Sequence, residues 1–128
     1  LDSANLCQFV WGSTWQLYGP QDSVEVVRHI TGWDSFTLKE MLLVGERRLN
    51  MLRLFNAREG ITREQDKLPK KFYKTLQGDG PSGGVALDLE EITQAQDWYY
   101  EMSGWDAVTG NPLPETLERL GLSEFSDP

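Results

Sequence analysis

At 128 residues, 39% hydrophobic and 25% charged, the chain has the length of one domain and an ordinary globular composition. Its formal net charge of −8, from 20 acidic against 12 basic residues, argues against nucleic-acid binding, because phosphate contacts need a positive field. No apolar run approaches the roughly 20 residues of a membrane helix, and a lone cysteine with no signal pattern before it makes the cytoplasm the default location.

The chain begins at Leu1 rather than Met and enters a helical pattern almost at once, so it reads as a fragment or processed chain. Asp2 or Ser3 is placed to cap a short helix running through Trp11, with Leu6, Phe9 and Val10 on its apolar side, Cys7 inside it and Gly12 closing it. Gly19 and Pro20 punctuate a loop. Asp22 or Ser23 then caps a second helix, whose Val24, Val27 and Ile30 recur at helical spacing until Gly32. His29, beside that stripe, reads as a hydrogen-bonded structural residue rather than a base or ligand.

The longest strongly periodic segment is Leu38 to Gly60, where Leu38, Met41, Leu42, Gly45, Leu49, Leu52 and Phe55 form the apolar stripe of a helix expected to lie along a core. Thr37 and Glu40 have the spacing of a capping box, and Gly60 is the expected left-handed stop. Gly45 is unfavourable inside a helix, so it predicts a close approach by another backbone. Arg47, Arg48, Arg53 and Arg58 read as solvated or ion-paired groups on a helix that also carries Glu40 and Glu46.

Pro69 suits the first turn of a short helix containing Phe72, Tyr73 and Leu76, and residues 77–84 read as a flexible surface loop. Those glycines lack the Gly-Lys-Ser/Thr ending of a phosphate-binding loop. Asp88 caps a helix from Leu89 to about Ser103, with Ile92, Ala95, Gln96, Tyr99 and Met102 on one face and Gly104 at its end. Trp98, Tyr99 and Tyr100 are consecutive and cannot share that face, so at least one ring must meet another segment. Pro114 opens a last helix with Leu117 and Leu120 inward and Gly121 as its cap.

Gly-Trp-Asp occurs twice, at Gly32–Asp34 and Gly104–Asp106, each between two helices. Each reads as a capping Gly, a Trp folded back on the helix end and an Asp that accepts loop amides. With no alternating strand pattern, the expected fold is all-α: a single domain over residues 1–128, an irregular orthogonal array of roughly five to six helices joined by Gly/Pro-rich loops.

The ordered set ITGWD, GERRLNMLRLFNAREG, the Leu68-Pro69 turn, DWYYEMSGWD and LGL resembles the C-terminal region of the aldehyde ferredoxin oxidoreductase family and covers nearly the whole chain. The resemblance implies a parent enzyme with a tungsten or molybdenum bis-pterin cofactor and a four-iron iron–sulfur cluster, oxidising an aldehyde to a carboxylic acid and passing electrons to ferredoxin. The opening DSANLCQF looks like the family segment in which an aspartate contacts a pterin and a cysteine five positions later ligates the cluster. On that match Asp2 is the pterin contact, Leu6 lies beside the cofactor and Cys7 is the cluster ligand. Asn5 stands where the family motif carries Gly, and Gln65 and Lys70 depart from the acidic and Arg residues of the family near the Leu68-Pro69 turn.

The chemistry of these side chains suits the roles. A carboxylate accepts two N–H bonds side by side, as the amino-pyrimidinone edge of a pterin offers, and thiolates are the ligands of iron–sulfur clusters. Without the resemblance, Cys7 reads as a buried free thiol. One cysteine cannot hold a four-iron cluster, so the chain is expected to lack cofactor and activity alone and to need the rest of its parent chain. The rival reading is an autonomous acidic helical module that binds a protein partner through Trp11, Trp15, Trp33, Trp98 or Trp105.

Overall fold

The computed structural model describes residues 1–12 and 18–125, so Trp15 lies outside the described residues. Among them the fold is all-α: α1 (Gln8–Trp11), α2 (Pro20–Thr31), α3 (Leu38–Arg58), α4 (Leu89–Ser103) and α5 (Pro114–Leu120), with short 3-10 turns and no strand. None of these helices is long and apolar enough to cross a membrane. The chain groups into two compact units, 1–52 and 53–128.

Local chemistry sets most helix ends where the sequence places them. At α3 the Thr37 amide donates to Glu40 Oε2 (2.6 Å) and the Glu40 amide to Thr37 Oγ1 (3.2 Å), the reciprocal pair of a capping box. Asp88 Oδ1 accepts the amides of Glu90 (2.8 Å) and Glu91 (3.0 Å) and so starts α4. The start of α2 differs. The helix begins at Pro20, and Asp22 reaches back to accept from the Gly19 amide at 2.6 Å, acting from inside the first turn rather than as the cap. His29 Nδ1 lies 2.6 Å from the Glu25 carbonyl, the structural role expected of it.

The first unit buries little. Among its described residues the fully buried side chains are Ser23, Val24 and Asn50, whereas Ile30, Leu42, Leu43, Val44, Leu49, Met51 and Leu52 are exposed. Among the described residues the α3 stripe therefore does not lie along a core; the buried side chains of that helix are Asn50 and Arg53. Periodicity identifies the apolar face of a helix but not the surface that covers it. A Cβ added at Gly45 would meet nothing within 4 Å, so the close backbone approach predicted there is also absent from the described residues.

The second unit has a core of its own. Leu117, Leu120 and Leu122 pack together with Leu54 against them, and Tyr100 is buried nearby in sequence on α4. Beside this apolar cluster lies a polar one. Arg53, 6% exposed, pairs with Asp66 (2.7 Å) and donates through Nε to the Gly110 carbonyl (2.7 Å). Tyr100 donates its hydroxyl to Asp66, Gln96 Nε2 donates to the Asp66 carbonyl (2.8 Å), and Arg63 pairs with Asp97. The Arg53 guanidinium also sits over the Trp105 ring, 5.2 Å from its centroid. Burial holds the Tyr100 hydroxyl above the usual phenol range, and its hydrogen bond to Asp66 adds to the effect.

The segment after Pro69 is a 3-10 turn over Lys70–Tyr73, with Leu76 outside it. Leu76 instead exchanges backbone bonds with the far side of the glycine loop, donating to Val85 and accepting from Gly84. The loop is thus a surface loop closed at its base.

The two Gly-Trp-Asp corners part company. Both glycines are left-handed caps, Gly32 at φ 73 and Gly104 at φ 66. At the second corner Trp105 folds back: its amide donates to the Tyr100 carbonyl (2.8 Å) and its ring meets that of Tyr99 edge-on at 5.7 Å. Asp106 Oδ1 accepts the amides of Val108 (3.1 Å) and Thr109 (2.7 Å). At the first corner Trp33 is 61% exposed and contacts Phe36, and no described amide donates to the Asp34 side chain.

Candidate cofactor-facing site

The opening of the chain is two short pieces rather than the single capped helix read from the sequence. Residues Asp2–Ala4 form a 3-10 turn in which the Leu1 carbonyl accepts the amides of Ala4 (2.9 Å) and Leu6 (3.1 Å), and α1 begins only at Gln8. The join is made at Asn5, the one non-glycine residue with positive φ (55°) among those described. Asn tolerates the left-handed region because its short polar side chain clashes little there. Asn5 thus takes the left-handed conformation that Gly adopts freely.

Cys7 is the N-cap residue of α1, with extended backbone, and its carbonyl accepts the amides of Val10 (3.0 Å) and Trp11 (2.9 Å). Its side chain is a free thiol and is exposed, which corrects both its placement inside the helix and the buried-thiol reading. Leu6 is half-buried. The Asp2 side chain is 65% exposed and lies 3.6 Å from Arg48 Nη1, a loose, solvent-screened pair. Pairing of Arg48 with Asp2 fits the expected ion-paired role of the α3 arginines, and Arg53 in the second unit fills the same role from a buried position.

Within the first unit Asp2 opens onto a cleft of about 700 Å³, lined among others by Leu1, Trp11, Met41, Leu42, Gly45 and Arg48. Its walls are mostly apolar, with the Asp2 carboxylate and the Arg48 guanidinium as charged groups on it. Trp11 is held by stacking on Tyr18, 4.6 Å between centroids. Leu6 and Cys7 do not line this cleft, so the three residues singled out from the sequence share one short segment but not one cavity. The contribution of Arg48 was not legible from spacing alone, since 46 residues separate it from Asp2.

The donor set supplies one soft ligand. No group of three or more His, Cys, Asp or Glu able to hold a metal ion occurs among the described residues. What the segment offers is one open thiol and one open carboxylate, each accessible to a group approaching from outside the chain. These fit one cluster ligand and one pterin contact.

A family model described as aldehyde ferredoxin oxidoreductase, domains 2 and 3, matches residues 1–122. Tungsten-containing aldehyde ferredoxin oxidoreductases of Pyrococcus furiosus and Pyrococcus horikoshii are 37% and 36% identical to the chain over 126 residues. That of Thermococcus kodakarensis is 35% identical over the same length. Each alignment covers 98% of this chain and 19% of the relative, so the chain spans about a fifth of the length of the proteins it matches.

Proposed function

This chain belongs to the aldehyde ferredoxin oxidoreductase family, and from that premise we propose that it is the C-terminal helical part of an enzyme that oxidises an aldehyde to a carboxylic acid and delivers the electrons to ferredoxin. The bis-pterin metal centre of such an enzyme supplies the two-electron oxidation, and an iron–sulfur cluster relays the electrons. The residues of this chain hold those groups. Asp2 accepts N–H bonds from the edge of a pterin, Cys7 as thiolate gives one ligand to the cluster, and Leu6 packs an apolar surface beside the cofactor. A reducing cytoplasm keeps that thiol available.

The observation that carries this reading is the opening segment. Left-handed Asn5 turns the chain between Asp2 and Cys7, and both side chains remain open, with only a loose ion pair on one of them. The apolar side chains around them support the same reading: Phe9 and Val10 on α1 and Leu42 and Leu49 on α3 are exposed, as expected of a surface that the rest of the parent chain covers. The rival reading, an autonomous acidic helical module, draws on the exposed Trp33 and Trp98.

In the full-length parent, Cys7→Ser is expected to lower iron content and visible charge-transfer absorption, and Asp2→Asn to lower pterin retention with iron unchanged. Unchanged iron in the Cys7 variant would remove the cluster role. The isolated chain is expected to be helical by circular dichroism and colourless, and stoichiometric iron in it would mean that the ligands assemble without the parent.

A further inference from the structure

We propose that a groove in the second unit, between the Lys70–Tyr73 turn and α4, docks a short acidic, amphipathic segment of a protein partner. The groove measures about 890 Å³, with Tyr73, Leu89, Ile92 and Ala95 giving it apolar surface and Lys70 giving it positive charge, while Lys67 on its wall is paired with Glu64. Lys71 and Lys74 follow directly in the chain, so four of the five lysines of a protein with net charge −8 fall within residues 67–74.

The charge in this patch is largely unspent. The carboxylates that line the groove are already engaged, Glu64 by Lys67 at 2.7 Å and Asp66 by Arg53 at 2.7 Å. Lys67 holds the Glu64 carboxyl below its usual range, first through their hydrogen bond. Lys70, Lys71 and Lys74 make no ion pair among the described residues, and Lys71 rests 5.5 Å from the centre of the Phe72 ring. The segment is fixed by backbone bonds from Phe72 to Pro69 (3.0 Å) and from Leu87 to Phe72 (3.1 Å). A fixed patch of this kind loses less side-chain and loop entropy on binding than a mobile one.

The occupant follows from these features. A uniform polyanion satisfies the lysines but leaves the apolar surface wet. An acidic segment with apolar side chains on one face satisfies both, its carboxylates toward Lys70, Lys71 and Lys74 and away from Glu90 and Glu91 at the start of α4.

The test is a titration of the isotope-labelled chain with a helical peptide of Glu and Leu, read by amide shifts. Shifts are expected to be confined to residues 67–74 and 89–96, and the affinity to fall severalfold between about 50 and about 300 mM salt. The triple variant K70E/K71E/K74E should bind about tenfold or more weakly with unchanged circular dichroism, and Ile92→Gln should weaken binding without altering its salt dependence. Heparin shifting the same residues more strongly than the peptide would overturn the proposal, as would wild-type affinity in the triple variant or self-association through the groove. Protection of these lysines from acetylation in the parent enzyme with no partner added would also overturn it, by showing that the parent's own chain fills the groove.

Discussion

The two units of this chain draw on the same residue types and bury them to very different extents. In the second unit Tyr100, Leu117, Leu120 and Leu122 are at most 3% exposed, whereas among the described residues of the first only Val24 of the large apolar side chains reaches that level. Yet the first unit holds most of the longest periodic segment, Leu38 to Gly60. The difference teaches that a good amphipathic pattern is a statement about one face of a helix, and that stability comes only from what covers it. Residues 53–128 cover Tyr100, Leu117, Leu120 and Leu122, and leave Leu89, Tyr99 and Met102 of α4 exposed. The exposed face of α3 in the first unit, with the cleft beside Asp2, has the character of a surface completed by something outside the described residues.

The most direct way to break this comparison is to damage the second unit at its polar centre. Arg53→Met removes a buried cation from Asp66 and leaves the Gly110 carbonyl without its donor. The expected loss is about 3 kcal/mol, the lower part of the range for breaking a buried pair, because Asp66 keeps partial solvent access and its bond from Tyr100. Native-state hydrogen exchange should show that loss in α4 and α5, with α2 little changed. An equal loss in both units would mean that the chain unfolds as one cooperative body.

Sequence made the helix ends legible because caps are local. Thr37 with Glu40, Asp88 with the α4 amides, and Gly104 and Gly121 all act within a few residues of themselves. The first corner differs at its Trp and Asp because Trp33 meets the Phe36 ring and stays 61% exposed, while Trp105 has Tyr99, Tyr100 and Arg53 around it. The Arg53–Asp66–Tyr100 cluster was invisible for the opposite reason: its members lie on three separate segments, and nothing in the pattern around Asp66 marks it as an acceptor. At the candidate site, Asp2, Leu6 and Cys7 were singled out through resemblance. Arg48 and the cleft, which depend on tertiary placement, were not.

Gly45 sharpens the comparison at a smaller scale. It sits inside α3, lines the cleft and would meet nothing within 4 Å if it carried a Cβ. In this chain Gly45→Ala should stabilise the first unit by about 1 kcal/mol, the difference in helix propensity, read as slower exchange of α3 amides. If another part of the longer enzyme fills the cleft, the same methyl group should become neutral or harmful there. A gain of the same size in both contexts would show that nothing comes close to this part of α3.

The smallest expected effect distinguishes the two Gly-Trp-Asp corners by pH. The Asp106 carboxyl lies below its ordinary 3.8, held there first by the Thr109 amide, then by the Thr109 hydroxyl and the Val108 amide. A folded-state pKa depressed in this way means that the unfolded chain binds the proton more readily. The stabilisation is therefore fully present above the unfolded value near 3.8 and is lost as pH falls through the lower folded value. Asp106→Asn keeps an oxygen for the loop amides but cannot titrate, so it should flatten that part of the acid limb of stability. Asp34→Asn is the comparison variant at the first corner, where no described amide donates to the aspartate side chain. Asp106 is only partly buried, so solvent screens the effect, and a difference measurement between the two variants is the sensitive form of the experiment. Identical acid limbs for the two variants would mean that the second corner is held by Trp105 and its ring contacts, with the aspartate contributing no pH dependence.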